Sequence, residues 1–233
     1  MASDKLLKAG TSAAPEQTTT NPVCDTLTVG SGATGGIKLD TASPTYGYQI
    51  LAGGLGLRTG GSNAPTMDLF RDSIRLFSFP NNQSHEVYAT IDVPRDYAPG
   101  TPISLYWAWA QNVVDTGGPG GTPGAVKWQA AFSYAKSYDQ AAFPAETVTS
   151  AVQTASGTAY QQLVASVVIA TSSPGAGQIN SNLLEPGGCF ILRIFRDPAD
   201  AADTLDQPPF LVQANIGYQS RVVGTKTDAP PYF

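Results

Sequence analysis

The apolar positions of this chain recur mostly at every second residue, in short runs broken by Gly, Pro, Asn and Asp. In "HEVYATIDVP", Val87, Ala89, Ile91 and Val93 fall on one face and Glu86, Tyr88, Thr90 and Asp92 on the other. "ISLYWAWAQN" sets Ile103, Leu105, Trp107 and Trp109 against Ser104, Tyr106, Ala108 and Ala110. "VKWQAAFSYA" repeats the pattern with Val126, Trp128, Ala130, Phe132 and Tyr134 on its apolar face. A period of two places one face of each segment in a core and turns the other to solvent or to a contact. "GYQILAGGLGL", "DLFRDSIRLFSFP", "AYQQLVASVVIA", "GGCFILRIFR" and "PFLVQANIGYQSRVV" read the same way. The total is about eight main strands from residue 46 onward, separated by turns such as "NNQS", "RDYAPGTP" and "VDTGGPGGTPGA". Helical turns are expected only as short pieces near 197–205 and 136–143. The predicted fold is all-β: an antiparallel β-sandwich, jelly-roll-like, with an extended N-terminal arm.

Three regions follow from this pattern. Residues 1–22, rich in Ala, Thr, Ser and Pro without a period, read as a flexible arm. Residues 23–65 are glycine-rich short strands and tight turns leading into the domain, and residues 66–233 are the sandwich. Neither glycine cluster in 23–65 opens a helix or carries the lysine of a phosphate-binding loop.

Composition narrows the function. The chain has 233 residues, the size of one sandwich. Charged residues are 13% of it, about half the usual ~25%. Its faces must therefore be made largely of small polar and apolar groups, which suit packing against other subunits. A net charge of −5 with scattered Lys and Arg opposes binding to nucleic-acid phosphates. No run of apolar residues is long enough to span a membrane. The N-terminus lacks the apolar stretch of a secretory signal, so the expected place of synthesis and assembly is a cytoplasm.

Candidate chemistry is sparse. His85 is the sole histidine, and no Gly-x-Ser-x-Gly elbow accompanies it, so no triad and no histidine metal cluster is expected. Cys24 and Cys189 make neither a disulfide framework nor a zinc site. Glu86 and Asp92 lie six apart on one strand, too distant at ~3.3 Å per residue to act as a glycosidase pair. No catalytic, cofactor or metal residue is assigned. Trp107, Trp109, Trp128 and Phe132 share faces with other large apolar residues and read as core aromatics. Tyr88 and Tyr106 have polar or small neighbours and read as outward contacts.

One stretch is richer in charge. Asp197, Asp200, Asp203 and Asp206 follow one another every three residues. A calcium loop wants oxygens at every second position and a glycine turn, and neither occurs. Spacing by three fits a short helical turn with Asp197 as its cap and Pro198 first in the helix. Arg193 and Arg196 lie just upstream, and an aspartate can pair with one of them to fix the loop. Arg193, Arg196, Asp197, Asp200 and Asp203 are thus read as a structural connection between two strands.

With "LRIFRDPADAADT" and "FLVQANIGYQ" in view, the chain resembles a group of tailed-bacteriophage virion proteins. Their C-terminal hairpin carries an Arg-x-x-Arg-Asp segment, then Asp-x-x-Asp-Thr, then a strand with an aromatic residue near its end. "VYATIDVPRDYAPGTPISLYWAW" and "VKWQAAF" fit the same group, and the likeness covers about residues 68–219. The resemblance implies a jelly-roll protein acting as capsid decoration, or cement, on the outer head surface. Its partners would be the major capsid protein and copies of itself in a dimer or trimer. Its location would be the virion, and it would use no enzyme activity, cofactor, nucleic acid or membrane. The alternative role within the same group is a fibre, tail or receptor-binding module that contacts glycans.

Overall fold

The computed structural model describes residues 56–136 and 142–220, together with the backbone of residues 48–51. The expected arm, most of the 23–65 region and most of the turn expected near 136–143 lie outside the described residues. Eleven strands are described: β1 Tyr48–Leu51, β2 Thr66–Arg71, β3 Ile74–Ser78, β4 Glu86–Asp92, β5 Ile103–Ala110, β6 Ala125–Ala135, β7 Thr147–Thr154, β8 Leu163–Thr171, β9 Ile179–Asn180, β10 Cys189–Arg196 and β11 Phe210–Gln219. Two single turns of 3-10 helix, Pro119–Gly121 and Ser181–Leu183, are the helical elements among the described residues. None of these is long and apolar enough to cross a membrane.

The strands form two sheets. One runs β2-β3-β11-β5-β8-β9, with β1 also on β11, and the other runs β4-β10-β6-β7. Setting aside the short β1 and β9 and the outlying β2, eight strands remain. In chain order the first, eighth, third and sixth make one sheet, and the second, seventh, fourth and fifth the other. This alternation between sheets is jelly-roll winding, so the fold is the all-β sandwich read from the sequence. All pairings are antiparallel except β8 with β9.

The differences in detail have local causes. "DLFRDSIRLFSFP", read as one strand, is the hairpin β2–β3. Asp72 takes a positive φ of 51° at the turn, a conformation that Asp tolerates better than most residues. β7, "TVTSAVQT", was not anticipated as a strand. It is the edge of its sheet, and its alternate residues Val148, Ser150, Val152 and Thr154 are exposed, so its pattern is weakly apolar. The stretch 197–205 forms successive turns, not a helix: Asp200 N–H bonds to the Asp197 carbonyl at 3.3 Å and Asp203 N–H to the Asp200 carbonyl at 2.9 Å.

The inward faces are those that the alternation predicts. Val87, Ala89 and Ile91 from β4 meet Ile103, Leu105, Trp107 and Trp109 from β5, with Val126, Trp128, Ala130 and Phe132 from β6. Trp128 sits at the centre. Its ring lies edge-on to Trp107 at 6.2 Å, to Trp109 at 6.3 Å and to Phe79 at 5.3 Å between centroids. Trp107 and Trp109 belong to the larger sheet and Trp128 to the smaller, so these contacts join the two layers. Edge-to-face geometry of this kind adds about 0.5–1.5 kcal/mol per pair beyond area burial. All three tryptophans are 0% exposed.

Trp128→Ala should lower stability by about 3–5 kcal/mol, because it removes the contact shared by both sheets and leaves a cavity. A urea titration followed by circular dichroism reads this as a large fall in midpoint. Truncation of the half-buried, outward Tyr106 should shift it far less.

Candidate functional site

The aspartate segment follows β10, whose last residue is Arg196. Residues alternate along a strand, so Arg193 and Arg196, three apart, face opposite ways. Arg196 points into the sandwich, where it is 0% exposed. Its Nε donates to Asp203 Oδ2 at 3.0 Å and its Nη2 to Asp203 Oδ1 at 2.6 Å. Nη1 donates to the Phe79 carbonyl at 2.8 Å, and Nη2 also bonds to the Leu205 carbonyl. Asp203 Oδ2 accepts in addition from Lys127 N–H at 2.9 Å. A guanidinium has five donors in a fixed fork, which suits it to a two-pronged carboxylate partner in a buried place. Since Phe79 follows β3, this one side chain ties the smaller sheet to the end of a strand in the larger.

A second carboxylate extends the tie. Asp115, 0% exposed, accepts through Oδ2 from Gly117 N–H at 3.1 Å and Gly124 N–H at 2.7 Å. Through Oδ1 it accepts from Asp206 and Gln207 N–H, each at 3.1 Å. The glycine-rich loop and the aspartate segment are thereby held on one side chain. Gly124 is obligatory here, because a Cβ would collide with the Thr204 carbonyl. Asp115 was not singled out in the sequence; its place in a turn-rich stretch resembles many solvated aspartates.

The other predicted residues fall as follows. Asp197 does not cap a helix; its Oδ2 accepts from Gln129 Nε2 at 2.6 Å. Asp200 accepts from Ala202 N–H at 2.8 Å and lies 3.6 Å from Lys127 Nζ. Both side chains are half-buried and still reach solvent, so the pair contributes about 0–1 kcal/mol. Arg193 does not serve the loop at all. It faces outward on the smaller sheet, where it donates to Glu86 Oε2 at 2.8 Å and Glu146 Oε1 at 3.4 Å and stacks 4.3 Å from the centroid of the Phe195 ring. Tyr88 joins this group, its hydroxyl donating to Glu86 Oε1 at 2.6 Å. The bond to Glu86, ahead of burial, pushes the Tyr88 phenol up from its ordinary range. Tyr106 is half-buried on the outer face of the larger sheet.

What can these groups do chemically? Glu86 and Glu146 share one arginine, and Glu86 lies buried where Tyr88 and Arg193 bond to it. His85 is buried, with Nδ1 3.2 Å from the Ala64 carbonyl and Nε2 3.1 Å from Asn82 Oδ1. Cys189 is free, and burial followed by Asp92 pushes its thiol up; Cys24 lies outside the described residues. Among the described residues, no group of three or more His, Cys, Asp or Glu is placed to hold a metal ion. Among the described residues the exposed large hydrophobic side chains are mostly aliphatic, including Met67, Leu69, Val148, Val152 and Ile191, with Phe143 and Tyr160 the exposed aromatics.

No family model matches the chain, and no curated protein matches it. Among solved structures it is similar to TmCBM61, solved in complex with β-1,4-galactotriose, at 10% identity and a TM-score of 0.29, over 74% of this chain and 88% of the other. It is also similar to a family 11 carbohydrate-binding module from Clostridium thermocellum, solved with a β-1,3-1,4-mixed-linked tetrasaccharide. There the identity is 9% and the TM-score 0.37, over 77% of this chain and 97% of the other. At so low an identity and TM-score, neither likeness carries an argument about what this chain binds.

Two measurements probe the buried polar groups. Arg196→Met should cost about 3–5 kcal/mol, because it leaves the Asp203 carboxylate buried without its partner. Adding Asp203→Leu should restore part of that loss in the same denaturation assay. On the alkaline side, the buried Tyr218 hydroxyl donates to Asp96 at 3.1 Å, and burial followed by the Asp96 charge pushes it up to about 12. A raised pKa in the folded state means that its contribution is complete below the unfolded value of 10.0 and is lost as pH rises toward about 12. Stability should therefore fall between those limits, and Tyr218→Phe should flatten that fall in a pH series of thermal melts.

Proposed function

We propose that this chain is a structural virion protein without catalytic activity, which adheres to the outer surface of a phage capsid and bridges its subunits. The observation that carries this reading is the division of apolar residues. Every tryptophan lies in the sandwich interior, and the exposed set is dominated by aliphatic side chains. Packed tryptophans leave no indole face on which a sugar ring could stack, whereas exposed aliphatic side chains suit contact with another protein surface. The resemblance of residues 68–219 to phage virion proteins supports the same direction, as do the few charges and the outward Arg193, locked by Glu86 and Glu146. Cement action is then linkage: a protein that binds the assembled shell and not its separated subunits stabilises the shell.

A second reading, a fibre or receptor-binding module that touches glycans, draws on Tyr160. This exposed aromatic has Arg71 at 4.8 Å from its ring and adopts a positive φ of 63°.

Particles separated into heads and tails decide between the two. For cement, the protein co-sediments with tailless heads in copy number comparable to the capsid protein, and particles lacking it lose heat or salt tolerance. A handful of copies, or loss of adsorption with stable heads and sensitivity to Tyr160→Ala, would overturn the cement reading.

A further inference from the structure

Among the described residues, two that are not glycine take a positive φ, Asp72 at 51° and Tyr160 at 63°. They meet at one place: Arg71, beside Asp72, holds its guanidinium 4.8 Å from the centroid of the Tyr160 ring. Such a backbone is an easy turn for Asp but a strained one for Tyr, and strain of that kind gathers where function needs a side chain held in place. Several contacts enforce it. Tyr160 N–H donates to the Gln111 carbonyl at 2.7 Å, and the buried Gln111 donates through Nε2 to the Ser156 carbonyl at 2.6 Å. Asn112 Nδ2 donates to the Leu69 carbonyl at 3.3 Å, tying the same loop to β2. Phe70 lies edge-on to Tyr160 at 5.5 Å and 5.3 Å from the buried Phe210, so the outer ring stands on the core. Tyr160 is nevertheless 41% exposed. The strain presents an aromatic ring to solvent and does not bury it.

The chemistry of the place selects a ligand. Arg71 is exposed and forms no ion pair with a carboxylate of the described residues. Its contact with the ring uses a face of the guanidinium and leaves the fork of N–H donors at the edge, which grips a carboxylate by two parallel bonds. The loop of Tyr160 adds the exposed Gln161 and Gln162; Gln161 accepts from Ser156 Oγ through Oε1 and keeps its amide donors. Amides offer donors and acceptors together, which match adjacent hydroxyls. A polyanion is disfavoured, since one unpaired cation here stands against a chain of net charge −5. We propose that Arg71 and Tyr160 form a binding site for a saccharide carrying one carboxylate. The acid group takes the Arg71 fork, the sugar lies against the exposed part of the Tyr160 ring, and the loop amides meet its hydroxyls. The inference rests on the second reading above, contact with glycans, and names the ligand class and the residues that take it.

The test is an array of sialylated and uronic-acid saccharides, each beside its neutral counterpart, with a short glutamate peptide included, probed with the full chain. Acidic saccharides should be retained, and the neutral counterparts and the peptide should not. Against the best acidic member, Arg71→Lys, which keeps the charge and loses the fork, should weaken binding about 10-fold or more. Tyr160→Gly, which takes the positive φ without strain, should weaken it as much, with a thermal midpoint no lower than that of Tyr160→Ala. Val152→Ala, on the other sheet, should bind as wild type does. Retention of no acidic saccharide, equal retention of the neutral counterparts or of the peptide, or a folded Arg71→Lys protein that binds as tightly as wild type would each overturn the inference. If the array stays blank while Tyr160→Ala still abolishes adsorption of particles, the glycan reading stands and the carboxylate class falls. If acidic saccharides bind but adsorption is indifferent to Tyr160, the site stands and that reading falls.

Discussion

A charge placed inside a sandwich dictates much of what surrounds it. Arg196 ends a core strand on its inward side, where an unpaired guanidinium would cost several kcal/mol. It is tolerated because Asp203 matches it with two oxygens and two backbone carbonyls accept the remaining bonds. Those partners come from different places: Phe79 beyond β3, and Asp203 and Leu205 in the loop after β10. The loop must therefore fold back over the end of the core, and the larger sheet must meet the smaller one at that corner. A bonded buried ion pair of this kind acts more on geometry than on net stability, since an apolar replacement of both partners is often neutral.

The loop so placed organises a second one. Asp115 receives four backbone N–H groups, two from the glycine-rich loop before β6 and two from the aspartate segment. Turns have few backbone partners of their own, and a buried carboxylate supplies acceptors for several N–H groups at once. The Trp128 cluster then closes the interior beneath this polar corner. Polar tie and aromatic contact both join the two sheets and adjoin each other, since Trp128 is the register partner of Arg196 and Phe79 packs against its ring.

This internal use of ionised groups leaves lightly charged faces. Arg193, which would otherwise project as a cation from the smaller sheet, is held by Glu86 and Glu146 and lies on Phe195. What remains outside is a set of aliphatic side chains on strand faces and on the β2 edge. Such a surface is the feature on which the proposed adhesive role draws.

The alternation of residues determined a good deal unaided. It identified β4, β5, β6, β8, β10 and β11, assigned Trp107, Trp109, Trp128 and Phe132 to the inside, and set Tyr88 and Tyr106 on outer faces. That succeeds because a strand half-buried in a sandwich must repeat every two residues. It failed at β7, an edge strand whose outward residues Val148 and Val152 alternate with Ser150 and Thr154 and whose inner face is only half-buried, and at the β2–β3 turn, where Asp72 makes a hairpin without glycine. The partner of each charge was not legible either. Arg193 and Arg196 are indistinguishable by composition, yet strand parity sends one outward to Glu86, 107 positions away, and the other inward to Asp203. Periodicity is a local property and can be read along the chain, whereas the match of a guanidinium to its carboxylate depends on which strands the winding brings side by side.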